Sequence, residues 1–173
     1  MEKFLLGLFV LVMSQLAMGQ PATLQDDVLT VPQGAVTDSD NPTFFTNIQL
    51  IHEDEGNFKL ADAQANNLVT IDTVQIAILE SFPVQVSVNV TGNKSVPCVE
   101  LLAPAISRKD NLFVVVLAET LLGPAESCIA VLDPFETSFA LDVSGLSAGT
   151  YTVRINGAVD ETFTLDTDIP PSK

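Results

Sequence analysis

One histidine, two cysteines and twenty-two acidic side chains are the groups in this chain with chemistry to offer. A nucleophilic hydrolase needs a Ser or Cys beside a base that a third group orients. His52 is the only base of that kind, and it precedes Glu53, Asp54 and Glu55 in an acidic turn region. Ser, His and Asp all occur, so counting leaves a triad open. We read no nucleophile elbow of the form Gly-x-Ser-x-Gly in the chain, and His52 reads as a surface residue. Paired carboxylates serve glycosidases, but in so acidic a chain such pairs arise by chance. There is also no Trp to platform a sugar. A hydrolase is therefore the weakest functional reading, and the expectation is a protein that is not an enzyme.

The acids suggest a second chemistry. Asp38-Ser39-Asp40 and Asp166-Thr167-Asp168 each place two carboxylates one residue apart, and Glu53 to Glu55 and Asp160-Glu161 add further acids in loops. Calcium takes six to eight converging oxygens, and no complete Asp-x-Asp-x-Asp-Gly loop occurs. Asp38, Asp40, Asp166 and Asp168 are the candidate Ca²⁺ ligands. The expectation set against them is solvated acids and no cofactor.

Cys98 and Cys128 form an even pair, which on an exported chain reads as a disulfide. It would close a loop of about 30 residues and contribute about 3–4 kcal/mol in the chain-entropy account. A two-cysteine metal site is the alternative, with the sole histidine distant in sequence. Asn89-Val90-Thr91 and Asn93-Lys94-Ser95 have the glycosylation pattern, used only in a eukaryotic secretory pathway. We read both as chance matches.

These residues must be positioned by a chain with a distinct beginning. Lys3, the apolar run Phe4 to Met13 and small Ala17 and Gly19 read as a secretory signal peptide over residues 1–19. The run is short of the ~20 residues a spanning helix needs, and no later segment is long and apolar enough to span. Removing residues 1–19 takes away Glu2 and Lys3 together, so the formal net charge stays at −15. So acidic a domain has no general field for nucleic acid or anionic lipid. The expected location is secreted or periplasmic.

Beyond the signal, residues 20–68 read as an N-terminal β segment and connector, residues 69–166 as an immunoglobulin-like β-sandwich, and residues 167–173 as a polar C-terminal tail. Residues 20–27 read as mobile. Val28 to Pro32 is a short strand ended or pushed to an edge by Pro32. Phe44 to His52 and Phe58 to Ala61 form a hairpin, and Asp62 to Asn67 is the connector.

Val84, Val86, Val88 and Val90 alternate with polar residues, the mark of a strand with one buried face. Gly92 to Pro97 reads as a turn. Cys98 to Ile106 reads as a strand weakened by Pro104, and Ser107 to Asn111 as a turn. Leu112 to Ala118 is apolar on both faces, hence a central strand. Leu121 to Ser127 reads as a loop. Cys128 to Leu132 and Phe135 to Val143 are strands separated by Asp133-Pro134, and a last hairpin spans Tyr151 to Leu165. About seven short strands from Val69 to Asp166 fit an all-β, Greek-key antiparallel sandwich.

The only tyrosine, Tyr151, follows Gly149 by two residues and Leu146 by five. That spacing is a tyrosine-corner signature, in which the phenol bonds back across the preceding turn. Tyr151, Gly149 and Leu146 are accordingly structural. Residues 74–165 resemble a domain family of exported bacterial proteins, through ILESFPVQVSVNVTG, the two cysteines, DPFETSFALDVSGLSAGTYTVRING and FTL. The resemblance implies export, a β-sandwich with one disulfide, and no assigned activity. Residues 28–64 more loosely resemble a short β segment of other secreted bacterial proteins.

Two functional expectations follow. One is a secreted non-enzymatic binding or adhesion module that meets a protein or surface partner. The other is a small exported inhibitor or chaperone-like protein acting through a loop or an edge strand.

Overall fold

Strict alternation around Val86, Val88 and Val90 buries all three side chains completely, on one face of a strand. They are the centre of a core that two sheets share. The computed structural model describes residues 21–37, 40–53, 56–79, 81 and 83–171. The expected signal peptide and Asp38 lie outside those residues.

In chain order the strands are β1 (Thr23–Gln25), β2 (Val28–Val36), β3 (Thr43–His52), β4 (Phe58–Asn66), β5 (Thr70–Leu79), β6 (Gln85–Lys94), β7 (Ala105–Lys109), β8 (Leu112–Val116), β9 (Asp133–Leu141), β10 (Gly149–Ile155) and β11 (Val159–Leu165). They form a sheet β1-β2-β3-β4, a sheet β5-β6-β9 and a sheet β11-β10-β8-β7. The last two pack face to face as a β-sandwich. Val86, Val88, Val90 and Leu141 from one sheet meet Phe113, Val115, Tyr151, Val153, Ile155, Phe163 and Leu165 from the other. This region holds seven strands, β5 to β11, which agrees with the expected number of about seven although not with every expected position.

Among the described residues all strand pairs are antiparallel except one: β8 runs parallel to β10, with Val153 beside Phe113 and Ile155 beside Val115. The expected central strand is there, flanked by β7 and β10, and Phe113 to Val116 are buried on both faces.

Several expected boundaries move. The N-terminal segment is a four-stranded sheet rather than a hairpin. Thr23 to Gln25, read as mobile, pair with β2. Pro32 lies inside β2, past the end of the short β1 pairing and where the pairing with β3 passes from Val31 to Gln33 without it. Asp62 to Asn66, read as connector, continue β4 against β3.

The expected turn at Gly92 is strand through Lys94. A Cβ on Gly92 would sit 2.1 Å from the Thr70 carbonyl oxygen and 2.9 Å from the Phe135 ring, so glycine permits a close approach there rather than a turn. Cys98 to Pro104 hold only a single bridge, Leu101 to Glu119, and the strand begins after Pro104 and runs through Ser107 to Lys109. Asp133 and Pro134 open β9 instead of separating strands. Pro134 is tolerated there because β9 is an edge, paired with β6 alone.

The N-terminal sheet is fastened to the sandwich at its base. Phe44 is fully buried and packs with Val116 and Ala118. Asn66 Nδ2 donates to the Glu119 carbonyl at 3.1 Å, and Arg154 pairs with Asp40 at 3.2 Å.

Candidate functional site

Cys98 and Cys128 are disulfide-bonded, with Cα atoms 6.0 Å apart. The bridge ties down, at Cys128, a segment that departs from the sandwich after Thr120 and returns at Asp133. Thr120 N–H donates to the Glu100 carbonyl at 2.8 Å, and Asp133 is held by Lys94 at 2.8 Å. Between these anchors the segment turns on itself. The Gly123 N–H donates to Glu126 Oε2 at 2.8 Å, and the Val131 N–H to the Ile129 carbonyl at 3.0 Å.

Cys128 to Leu132, expected as a strand, is therefore a loop. The local i to i+2 turn at Ile129 takes a backbone donor that a ladder would use. Its apolar side chains face outward: Ile129 is 69% exposed, Leu132 63% and Val131 58%. Leu121 and Leu122 are each 36% exposed on the outgoing arm. Five aliphatic side chains of one loop are thus left exposed to solvent.

The loop's roots are polar and well satisfied. Glu119 is 1% exposed. Its carboxylate accepts the Ser95 N–H at 2.8 Å and, through the other oxygen, the Ser95 hydroxyl. This ties the chain just before Cys98 to the chain just before the loop. Sequence reasoning missed Glu119, because nothing in LAETLLG separates a buried acid from a surface one.

Tyr151 makes the expected corner. Its hydroxyl donates to the Ser147 carbonyl at 2.8 Å, and its ring stacks on Phe163 with centroids 5.4 Å apart. Leu146 is buried, and Gly149 holds a positive φ of 152°. The corner is stitched to the last residues of the chain. Asp168 Oδ1 accepts the Ala148 N–H at 2.7 Å, and the Ile169 N–H donates to the Leu146 carbonyl at 2.8 Å. Ile169 is buried in the core, so the expected polar tail is a structural part of the sandwich as far as that residue.

Gly145-Leu146-Ser147-Ala148-Gly149 has the Gly-x-Ser-x-Gly spacing, which sequence reasoning passed over. Here it spans a turn between β9 and β10, not the strand-to-helix elbow that exposes a nucleophile. The Ser147 carbonyl serves Tyr151.

The remaining expected site residues are scattered into other roles. Asp40 faces Arg154 and Asp168 faces Ala148, while Asp166 is exposed after β11. Among the described residues, no group of three or more His, Cys, Asp or Glu side chains is arranged to hold a metal. His52 meets the Phe58 ring edge-on at 5.3 Å, and its backbone N–H donates to the Asp27 carbonyl at 2.9 Å. Asn89 lies mid-strand in β6, between Gln75 and Ser138, and Asn93 donates to Asp72 at 2.7 Å.

Arg154 forms a two-pronged pair with Asp160, both contacts at 2.7 Å. The hydrogen bonds from Arg154, more than its charge, hold the Asp160 carboxyl below the usual carboxylate range. The Ser144 hydroxyl and N–H do the same for Asp142.

Residues 88–165 match the ORF11 beta-sandwich domain family. The match runs from the middle of β6 to the end of β11, taking in the disulfide, the exposed loop and the tyrosine corner. It leaves out β5 and the whole N-terminal sheet. No curated protein and no solved structure matches the chain. The disulfide fits an extracellular protein. Among the described residues no helix is long and apolar enough to cross a membrane.

Proposed function

We propose that the protein is a secreted, non-enzymatic binding module that engages a protein partner through the loop between Thr120 and Asp133. The observation that carries this reading is the outward display of Ile129, Val131 and Leu132 beside the Cys98–Cys128 bridge. Covering each such side chain contributes about 1–2 kcal/mol, scaled from full burial to its present exposure. The disulfide and the Glu119–Ser95 contacts hold the loop's roots before any partner arrives, which lowers the ordering cost of binding.

A small exported inhibitor acting through the same loop is the second reading. What favours it is the covalent anchoring of an exposed apolar segment at Cys128, a geometry suited to insertion into a partner's groove.

The test is affinity capture from the native secreted fraction, using the wild-type protein and an Ile129→Asp/Leu132→Asp variant side by side. A partner retained by wild type and lost by the variant, with both melting alike, supports the loop. Equal capture by both removes it. Adding the captured partner's own activity assay separates inhibitor from adhesion module.

A further inference from the structure

The N-terminal sheet carries a row of leucines that crosses every strand. Leu24 pairs with Leu29, Leu29 with Leu50, and Leu50 with Leu60. Directly opposed residues on antiparallel strands share a face, so the four side chains lie side by side. Phe58 and His52 form the next rung, with their rings in contact. Leu24 is 65% exposed, Leu60 58% and Phe58 47%. The base of the sheet is fixed to the sandwich by Phe44, so the row sits on a platform that is already in place.

The surroundings narrow what can cover it. Residues 21–66 contain eight acids and one base, Lys59. Asp26 and Asp27 form the β1–β2 turn, and the Asp27 carbonyl is bonded to His52, so these acids stand beside the His52–Phe58 rung. Glu53 follows at the end of β3. A second copy laid on this face would bring like charges together on a chain of net charge −15. An added strand meets obstacles at both edges. β2 has Pro32 where β1 stops short, and β4 has Lys59 and a register shift opposite Gln49, features that guard sheet edges. Face docking by a basic, apolar partner is what complements both the leucines and the acids.

We propose that the Leu24–Leu29–Leu50–Leu60 face binds a cationic amphipathic segment of another protein, one that sets aliphatic side chains against the leucine row and Lys or Arg against the turn acids. This surface lies outside residues 88–165 and is independent of the loop reading.

The probe is a fluorescein-labelled synthetic peptide of leucine and lysine with amphipathic spacing, followed by anisotropy against the full chain. The same peptide with glutamate in place of lysine is the control. The expected result is saturable one-to-one binding, at least 10-fold tighter for the lysine peptide. Leu24→Ser/Leu60→Ser should weaken it at least 10-fold, and Asp26→Asn/Asp27→Asn should weaken it and reduce its salt dependence. Both leucines are mostly exposed, so the fold should persist, checked by melting. Ile129→Ser, in the separate loop, should leave binding unchanged. The proposal is overturned if the glutamate peptide binds equally well. It also fails if the leucine variant binds like wild type, which would mean charge attraction alone. Sedimentation showing a dimer that the leucine variant loses would make a second copy the occupant and overturn it too.

Discussion

The Asn156 side chain grips both ends of one peptide residue: its Oδ1 accepts the Leu117 N–H at 2.8 Å, and its Nδ2 donates to the Leu117 carbonyl at 3.0 Å. The same Nδ2 reaches the Val69 carbonyl at 3.0 Å. An amide from the β10–β11 turn thus stands in for a strand neighbour where β8 ends, and joins it to the start of β5. Replacing Asn156 by Ala should cost about 1–3 kcal/mol, because partly buried backbone groups lose their partners. Asn156 has a positive φ of 50°, so Asn156→Gly separates the contributions by relieving backbone strain while still deleting the amide. Urea unfolding that finds Asn156→Ala as stable as wild type would show that the amide contacts make no net contribution.

Tyr151→Phe deletes the bond to the Ser147 carbonyl and leaves the ring stacked on Phe163. The expected loss is about 1–2 kcal/mol, read as a shift in denaturant midpoint with unchanged slope. An unchanged midpoint would make the phenol dispensable to the corner.

Reduction of Cys98–Cys128 opens a constraint between residues 30 apart in sequence. The reduced protein should lose about 3–4 kcal/mol, measured by chemical unfolding with and without reductant. Coincident curves would show that the crosslink makes no net contribution to stability.

Acid should weaken the fold through Asp160 and Asp142. Both are held below the usual carboxylate range in the folded state, Asp160 chiefly by hydrogen bonds from Arg154 and Asp142 chiefly by the Ser144 hydroxyl. Between the folded and unfolded values the unfolded chain binds more protons, so stability rises with pH there. The contribution is complete above the unfolded value of about 4 and is lost as pH falls through the depressed folded values. Both groups are largely solvent-screened, so each effect is small. Asp160→Asn should flatten this part of the stability–pH curve, as measured by urea midpoints from neutral pH downward. A curve that superimposes on wild type would show that the Arg154 pair makes no net contribution.

Ile169→Ala should cost about 2–4 kcal/mol, because the side chain is buried among core residues contributed by both sheets. A surface-like effect, within about 0.5 kcal/mol, would place the end of the chain outside the cooperative unit.

Much of the sandwich was legible because its strands bury one face or both. Val86, Val88 and Val90 alternate, and Phe113 to Val116 do not, and each pattern matches its burial. Tyr151 was legible because a corner has fixed local spacing. The exposed loop was not: Ile129, Val131 and Leu132 have strand composition whether or not a partner strand exists, and periodicity cannot reveal an absent partner. Asp62 to Asn66 failed for the opposite reason. They form an edge strand whose residues are mostly exposed on both faces, so burial imposed little apolar alternation on them. Ile169, Glu119 and Asn156 each act through contacts with residues far away in sequence, which no local pattern encodes. The leucine row illustrates the same limit, since it exists only once four strands are in register.

The parallel seam between β8 and β10 has a consequence for how the protein is made. Leu112 to Val115 cannot gain their inner neighbour until Thr152 to Ile155 have emerged, and the corner preceding β10 waits for Asp168 and Ile169. Pairings of such long sequence separation are slow to form, since loop closure precedes any reward. The sandwich core is therefore complete only after Ile169 has emerged, and until then the buried faces of β6 and β8 wait for the partners that will cover them.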